Sequence, residues 1–413
     1  MDSTTSDQVK MILDSIADEE QRNDQLLHLT ANENQMSQTA RRFLSSKLSE
    51  RYFFGGGNAE EIVDMHPFLG LGLRNVETLV EMAKLAACGM LHASEVNLSC
   101  LSGVHAMMCA ILSTTEPGDV VMTVHHDHGG HFATKGIIQR VGRKHIFASY
   151  DLTTLKFDAM KIAQDFHAAK AKAFYMDVSY YLNPHNLKEI RSALGEEAII
   201  IFDASHTMGL IMGGEFQQPL LEGADVICAN THKTLPGPQK GMIAFRKPEL
   251  AKTANEIINS CLFSSPHTHH MIALATTILE MQVFGSQYAQ QIIANSNALA
   301  AEFEKLGYEV RKANTGRYSE NHQVHVFIDS LGDRVSLYAN LLGNGISTNF
   351  DSPLGDRLFI RLGTQEITRR GMRESEMQYI AQLLDQALKG IPVAEKIATL
   401  NSQFNSILFS FDH

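Results

Sequence analysis

Residues 230–241 read NTHKTLPGPQKG, and they follow a strand-like apolar run from Ala224 to Ala229. The pattern brings Lys233 into a polar turn rich in proline and glycine, where a helix would normally continue an α/β unit. A lysine that loses hydration at the end of a buried strand has a lowered amine pKa and can form a Schiff base with an aldehyde. Position alone favours a solvated loop lysine, because most lysines are exposed. The interpretation therefore depends on what the rest of the chain supplies.

An acidic residue ends a second strand-like run upstream of Lys233. Residues 198–202 read AIIIF, and Asp203 and His206 follow them. An aspartate in that place can pair with the ring nitrogen of pyridoxal phosphate, which keeps the ring protonated and makes it an electron sink. His206 could reach the phenolic oxygen of the same ring. Lys233 and Asp203 together indicate pyridoxal 5′-phosphate as the cofactor.

The two motifs resemble those of one enzyme family. The chain reads DASH at 203–206 and THKTLPGP at 231–238, similar to the serine hydroxymethyltransferases among the fold-type I pyridoxal-phosphate enzymes. The resemblance extends roughly from residue 27 to residue 371. It implies an α/β fold in which a large domain holds a mainly parallel sheet and a smaller C-terminal domain is α+β.

The resemblance and the changing pattern divide the chain into three parts. We predict an N-terminal arm over residues 1–50, a large cofactor-binding domain over 51–285 and a small C-terminal domain over 286–413. Two helices, 272–284 and 289–306, are predicted to lead out of the large domain. In the family the arm docks on the partner subunit, so the resemblance implies a homodimer with shared active sites.

The amino-acid composition excludes some classes of binding partner. The chain has 413 residues, 35 Lys and Arg against 46 Asp and Glu, and a formal net charge of −11. The acidic balance and the lack of a stripe of basic residues argue against nucleic acid as a binding partner. No apolar run approaches the ~18 residues of a membrane span. Five cysteines without a CxxC pair are interpreted as reduced core residues of a cytoplasmic protein rather than a metal site.

A helix N-terminus is predicted where a phosphate would bind. Ser102 and Gly103 open an apolar helical stretch, and the N–H groups and hydroxyl at such an end can hold a phosphate. Ser-Gly also caps ordinary helices, but the resemblance places the cofactor phosphate there. It also places Ser179, which directly follows the strand predicted from Lys172 to Val178, near the cofactor.

A histidine-rich loop follows the strand predicted over residues 119–124. Residues 125–131 read HHDHGGH, and four histidines with an aspartate could also bind a metal ion, an alternative that the two glycines and the preceding strand disfavour. The two glycines and the preceding strand are similar to the Gly-Gly-His of the family, which implies that His131 stacks on the pyridine ring. The loop is longer than in the hydroxymethyltransferases, and it lies where the substrate's aldehyde end or folate would approach.

Two candidates come from the first 54 residues. Glu33 lies in the segment from Leu29 to Asn34 and would read as a surface carboxylate from its neighbours alone. The resemblance implies a glutamate that projects into the neighbouring active site and handles protons of the substrate hydroxyl. Tyr52 precedes two phenylalanines and the glycines at 55–57, where the family usually has two adjacent tyrosines. Tyr52 is the candidate for the tyrosine that the partner supplies.

Arg361 lies in an otherwise apolar strand, residues 358–364, which read LFIRLGT. A guanidinium is costly to bury unless an anion meets it. An internal salt bridge would satisfy this requirement, and so would the carboxylate of a bound amino acid, which a guanidinium holds with two parallel hydrogen bonds. The resemblance implies that Arg361 binds the substrate carboxylate.

In the expected reaction, a β-hydroxy amino acid replaces Lys233 in the Schiff base with the cofactor. The Cα–Cβ bond of the amino acid is then cleaved. Removal of the hydroxyl proton releases an aldehyde and leaves a glycyl quinonoid. Glu33, Tyr52 or a histidine near the cofactor, namely His131 or His232, could move that proton. The sequence does not indicate which of these groups moves the proton.

The acceptor of the glycyl unit is the open question. The hydroxymethyltransferases use folate, and they usually have arginine at the position of Pro236 and Arg-Gly-Gly at 239–241, where this chain has Gln-Lys-Gly. This variant looks more like the L-threonine transaldolases, which split threonine and add the glycyl unit to another aldehyde. A folate-dependent hydroxymethyltransferase stays the alternative. A third hypothesis is a homologue without catalytic activity that serves as a binding protein, and the joint presence of Lys233, Asp203 and Arg361 disfavours it.

Overall fold

The structure is a computed structural model that describes residues 3–54, 73–350 and 357–412. The glycines at 55–57 lie outside the described residues. Within these ranges no helix is both long and apolar enough to cross a lipid bilayer. The α-helices are Ser3–Asp24, Gln38–Arg41, Arg74–Leu91, Gly103–Thr114, Thr134–Arg140, Ala159–Ala168, Leu187–Leu194, Met208–Met212, Pro219–Glu222, Pro248–Ile257, Thr268–Lys305, Arg334–Gly343, Gln365–Arg369, Glu374–Leu388 and Ala394–Ser402.

Most strands are short. They are β1 Leu27–His28, β2 Glu95–Asn97, β3 Val120–Thr123, β4 Lys144–Phe147, β5 Tyr150–Asp151, β6 Lys156–Phe157, β7 Ala171–Met176, β8 Ile199–Asp203, β9 Val226–Asn230, β10 Gly241–Phe245, β11 Gln323–Phe327, β12 Ile346–Ser347, β13 Asn349–Phe350 and β14 Phe359–Gly363. Short 3₁₀ turns are Arg42–Ser45, Lys47–Glu50 and His126–His128, and Ile258–Leu262 is a π-helix.

A seven-stranded sheet forms the centre of the molecule, in the order β2-β10-β9-β8-β7-β3-β4. Neighbouring strands from β9 to β4 in this order are parallel, whereas β10 is antiparallel to both β9 and β2. The mainly parallel sheet confirms the predicted α/β class. Because the carboxyl ends of parallel strands meet at one edge, the residues that follow β7, β8 and β9 are brought together there.

The sheet strands are apolar on both faces, as expected for a sheet covered by helices. In β8, Ile200, Ile201 and Phe202 are each at most 1% exposed, and Asp203 is the last residue of the strand. The sequence predicted this strand one residue earlier, over 198–202, so the aspartate was expected just after its end. The shift leaves Asp203 at the same edge of the sheet.

One long helix replaces the two that the sequence predicted over 272–284 and 289–306. The helix Thr268–Lys305 runs through Gly285 without a break. A Cβ on Gly285 would lie 3.0 Å from Met281 Cε and 3.4 Å from Gly213 Cα, so this glycine permits close packing of the helix. Glycine lowers helix propensity, but tertiary packing decides here.

Two apolar cores divide the described residues. One surrounds the central sheet, and the other surrounds a three-stranded sheet of order β11-β14-β13. The second core also takes in Leu27 and Leu29, and β1 pairs with β12. The predicted boundary between residues 285 and 286 falls inside the helix Thr268–Lys305, and the division into an arm and two domains stays a prediction.

Candidate active site

A cavity of about 240 Å³ opens at the carboxyl edge of the central sheet. The carboxyl ends of three parallel strands and one helix N-terminus surround it, which is where ligands bind in open α/β sheets. Eight of the residues predicted for the site line it: Ser102, Gly103, His131, Ser179, Asp203, His206, His232 and Lys233. The structure therefore brings together candidates that lie up to 131 positions apart in the sequence.

Lys233 is partly exposed to this cavity, three residues beyond the end of β9. Its Nζ lies 3.1 Å from Nε2 of His206. Burial lowers the pKa of the Lys233 amine from its ordinary 10.5 to about 8, an effect that Asp203 opposes and Arg361 reinforces. Burial also holds the pKa of His206 well below its usual value. A neutral imidazole therefore faces an amine that loses its proton unusually easily.

The lysine turn is fixed by contacts to distant parts of the chain. Asn34 Nδ2 donates to the carbonyl of Lys233 at 2.6 Å, and Thr234 Oγ1 donates to the carbonyl of His206 at 2.8 Å. The sequence did not identify Asn34 as a site residue, although it adjoins the predicted Glu33. The first bond ties the turn after β9 to the N-terminal segment, and the second ties it to the turn after β8.

Asp203 is held on both carboxylate oxygens. The backbone N–H of Ser205 donates to Oδ1 at 2.9 Å, and the hydroxyl of Tyr175 donates to Oδ2 at 2.5 Å. Tyr175 also lines the cavity, and the sequence did not identify it.

A second carboxylate of the cavity, Asp177, was likewise not identified from the sequence. It lines the cavity and accepts the backbone N–H of Val124 at 3.2 Å and that of His131 at 3.1 Å. Burial raises the pKa of Asp177 to about 7. Asp177 thus ties the end of β3 to the residue predicted to stack on the cofactor ring. A signal was present in the sequence, since Tyr175, Asp177 and Ser179 alternate and alternate residues share one face of a strand.

The histidine loop turns through two glycines. Gly129 has a positive φ of 92°, and a Cβ on Gly130 would lie 2.2 Å from the carbonyl oxygen of Val124. Only glycine fits this close approach, which presents His131 to the cavity. Burial lowers the pKa of His131, and the Asp203 charge opposes this effect. The ring is therefore neutral at pH 7.

Ser102 caps the helix Gly103–Thr114, and its Oγ accepts the backbone N–H of His105 at 3.1 Å. A Cβ on Gly103 would lie 2.8 Å from Cβ of Asn230, so the first residue of the helix sits directly against the end of β9. This packing leaves the helix N-terminus facing the cavity, where its partial positive charge favours an anion.

Cys100, His105 and Cys109 form a cluster in which both cysteines are buried and His105 is partly buried. His105 Nδ1 accepts the N–H of Leu101 at 2.9 Å, so Nε2 carries the proton that it gives to the carbonyl of Leu262 at 2.8 Å. The imidazole then has no lone pair left for a metal. All five cysteines are free thiols. Cys100, Cys109 and Cys228 are buried as expected of core residues, whereas Cys261 is exposed and the prediction of a core position is wrong there.

Arg361 lies on β14 and is 6% exposed. Its guanidinium stacks over the ring of Tyr180, 4.7 Å from the centroid, and Nη1 donates to the carbonyl of Ser179 at 3.3 Å. Arg361 does not line the cavity itself, but its charge lowers the pKa of both Lys233 and His206. The guanidinium therefore adds positive charge beside the amine.

Glu33 and Tyr52 do not line this cavity. Glu33 is exposed and accepts a hydrogen bond of 2.6 Å from Thr30 Oγ1. Burial lowers the pKa of His232 to about 4, and the charge of Glu33 opposes this effect. Tyr52 is 53% exposed and packs edge-on against Phe54. The structure places Glu33 near its own chain's site, and the roles of both residues across a subunit interface stay predictions.

The cavity fits pyridoxal phosphate by the chemistry of its lining. It combines an amine of lowered pKa at Lys233, a carboxylate at Asp203 and a helix N-terminus at Gly103. A Schiff-base amine, a partner for the pyridinium nitrogen and an anion site for phosphate are the three groups that this cofactor requires.

Comparisons with known proteins agree with this fit. The family model of serine hydroxymethyltransferase matches residues 5–384. A serine hydroxymethyltransferase of Methanocella arvoryzae is 34% identical over 98% of this chain and 96% of its own. A fluorothreonine transaldolase of Streptantibioticus cattleyicolor is 34% identical over 89% of this chain, and the match spans 58% of that protein.

A solved structure is similar over nearly the whole chain. It is the L-threonine transaldolase from Pseudomonas fluorescens in the internal aldimine state, with a TM-score of 0.88, 28% identity, and coverage of 99% of this chain and 95% of that one. The predicted family, fold type and cofactor are thereby confirmed. The chain is a pyridoxal-phosphate-dependent enzyme and belongs to the serine hydroxymethyltransferase family.

Proposed function

We propose that this enzyme is an L-threonine transaldolase. It cleaves the Cα–Cβ bond of L-threonine, releases acetaldehyde and transfers the glycyl unit to an acceptor aldehyde, giving a new β-hydroxy-α-amino acid. The observation that carries the proposal is the similarity in fold to the L-threonine transaldolase of Pseudomonas fluorescens over 99% of the chain. Pro236, at a position where the hydroxymethyltransferases usually have arginine, agrees with it.

Each residue around the cofactor has a proposed task. Lys233 would attach the cofactor through its amine, Asp203 would pair with the ring nitrogen, and His131 would cover the ring face. The helix N-terminus at Ser102 and Gly103 holds the phosphate. When bound, pyridoxal phosphate supplies an electron sink for the electron pair of the broken bond.

The remaining cofactor contacts come from two further cavity residues. Ser179 lies three residues beyond the end of β7. His206 Nε2 lies 3.1 Å from Lys233 Nζ. We assign both to cofactor binding, with His206 directed at the phenolic oxygen. A neutral imidazole there can exchange a hydrogen bond with the lysine amine without adding a second positive charge.

Arg361 binds the substrate α-carboxylate. Its guanidinium is already oriented by the ring of Tyr180 and the carbonyl of Ser179. Because these contacts fix the plane of the guanidinium, little conformational entropy is lost when a carboxylate pairs with it. The amino acid is thereby anchored beside Lys233.

The β-hydroxyl proton has to be removed before the Cα–Cβ bond breaks. His232 lines the cavity, and burial lowers its pKa to about 4, so its ring is neutral at pH 7 and can accept a proton. His131 is neutral for the same reason. We propose that one of these histidines takes the proton, with Glu33 and Tyr52 as the alternatives if the enzyme works as a homodimer with shared sites.

Acetaldehyde release from L-threonine tests the proposal. We expect the cofactor-loaded enzyme to release acetaldehyde, and a panel of aromatic and aliphatic aldehydes to include one that stimulates release and yields a new amino acid. The comparison is L-serine cleavage with and without tetrahydrofolate, because the hydroxymethyltransferase relative in Methanocella arvoryzae is as similar in sequence as the transaldolase relative. A folate-dependent serine reaction far faster than any threonine cleavage would overturn the proposal.

The pKa of Lys233 predicts how cofactor loading depends on pH. Burial lowers that pKa to about 8, and only the neutral amine attacks an aldehyde. We expect the rate of covalent capture of pyridoxal phosphate by the apoprotein to rise with pH and to level off above about pH 8. A lysine-containing peptide, with a midpoint near ~10.4, is the reference. A protein midpoint equal to that of the peptide would contradict the prediction.

A further inference from the structure

Tyr175 reaches the cofactor partner Asp203 from the neighbouring strand. In the parallel pairing of β7 with β8, the Cα partner of Tyr175 is Ile201, two residues before Asp203. Residues two apart in a strand share a face, so Tyr175 and Asp203 lie on the same face of the sheet. The phenol can therefore extend along the strand direction to the carboxylate at the sheet edge.

The hydrogen bonds around this hydroxyl fix its direction. Tyr175 is 1% exposed, and its hydroxyl donates to Asp203 Oδ2 at 2.5 Å. The thiol of Cys228 donates to the same hydroxyl at 3.6 Å. Burial, reinforced by the charge of Asp203, raises the pKa of Tyr175 well above its usual range. The phenol therefore keeps its proton and is always a donor to the carboxylate.

Asp203 is clamped from two sides. Ser205 N–H holds Oδ1 at 2.9 Å while Tyr175 holds Oδ2, so rotation of the carboxylate is restricted. An ionised carboxylate offers about four acceptor positions, and two donors leave room for a third. The ring nitrogen of pyridoxal phosphate, when protonated, is such a donor.

We propose that Tyr175 is a positioning residue that acts through Asp203: its hydroxyl orients the carboxylate towards the cofactor ring nitrogen and keeps the shared proton on the ring. The inference rests on the cofactor contact proposed for Asp203. Without the hydroxyl, the carboxylate loses a donor, becomes a stronger base and takes more of the proton from the ring. A less protonated ring is a weaker electron sink, so bond cleavage slows while substrate binding is kept.

The variant Tyr175→Phe removes the hydroxyl and preserves the ring. The matched control is Tyr181→Phe, since Tyr181 is also 1% exposed but bonds Thr207 Oγ1 at 2.8 Å instead of Asp203. The first readout needs no substrate: the pH titration of the visible absorbance of each cofactor-loaded protein. A hydrogen bond to a charged group is worth enough to move a coupled titration by roughly one pH unit.

We expect the absorbance midpoint of Tyr175→Phe to rise by about one pH unit and its cofactor affinity to fall roughly 10-fold. Tyr181→Phe should titrate like the unchanged enzyme. Both apoproteins should stay folded, and the thermal midpoint of Tyr175→Phe should fall further than that of Tyr181→Phe, because the lost hydroxyl of Tyr175 bonds a carboxylate and that of Tyr181 bonds a neutral hydroxyl. Equal absorbance titrations in the two variants would overturn the inference.

Kinetics and a double variant separate this inference from the proposed reaction. With L-threonine, kcat of Tyr175→Phe should fall roughly 10- to 100-fold while KM changes by less than about threefold. Adding Tyr175→Phe to Asp203→Asn should move the absorbance midpoint no further, whereas an additive shift would show that Tyr175 acts by another route. If the unchanged enzyme does not cleave threonine but the absorbance shift is found, the transaldolase proposal fails and the role of Tyr175 stands.

Discussion

Replacement of Lys233 by alanine is expected to abolish covalent cofactor attachment and to lower threonine cleavage by about 10³-fold or more. The amine of Lys233 lies in the cavity beside His206, with a pKa of about 8. No other lysine lines this cavity in the described part of the chain. The measurement is borohydride reduction of the cofactor-loaded protein, followed by peptide mapping of the labelled lysine.

Lys240 provides a matched control, because burial lowers its pKa to about 8 as well. Its Nζ points to the carbonyl of Ser99, 3.4 Å away, and not into the cavity. Nucleophilicity alone would therefore not distinguish the two amines, but position does. We expect Lys240→Met to keep the label on Lys233. Label on Lys240, or label retained by Lys233→Ala, would contradict the assignment.

The sequence was sufficient to predict that the candidate chemical groups lie together at one cavity, whereas their roles stay predictions. Asp203 and Lys233 follow apolar runs in the sequence, and the structure places these runs as the adjacent strands β8 and β9. Parallel strands bring their carboxyl ends to one edge, so a pattern read separately in each strand already predicts a common site. The family resemblance then supplied a role for each side chain.

The supporting residues could not be predicted in the same way. Tyr175 and Asp203 lie 28 positions apart, and Asn34 and Lys233 lie 199 apart. Their contacts depend on which strands are neighbours and on how the N-terminal segment returns to the sheet. A tyrosine in a buried strand is also common in ordinary cores, so the alternation of Tyr175, Asp177 and Ser179 did not by itself indicate a function.

The error at Gly285 has the same origin. Glycine disfavours a helix interior by about 1 kcal/mol relative to alanine, which favours a break when the sequence is considered alone. In the structure the missing side chain lets the helix Thr268–Lys305 pack closely against Gly213. Local propensity predicted two helices, and packing between distant residues produced one.

Arg361→Lys is expected to raise the KM for L-threonine roughly 100-fold while the absorbance of the bound cofactor stays unchanged. Lysine keeps the positive charge but lacks the planar pair of N–H donors that a carboxylate accepts in parallel. It also loses the stacking on Tyr180 and cannot reproduce the guanidinium contact to the carbonyl of Ser179. Steady-state kinetics over a wide threonine range measure the change.

Arg311→Lys is the control for this change, because Arg311 is a second arginine of the C-terminal region whose guanidinium stacks over aromatic rings. It lies over Phe327 and Phe359, and its charge, unlike that of Arg361, is not among those that lower the pKa of Lys233 and His206. We expect its KM for threonine to stay within about threefold of the unchanged enzyme, since the substrate carboxylate does not reach it. A selective loss of affinity in Arg361→Lys identifies Arg361 as the carboxylate site. If kcat falls and KM does not change, Arg361 acts on the bond-breaking step through its charge beside Lys233, and the carboxylate is held elsewhere.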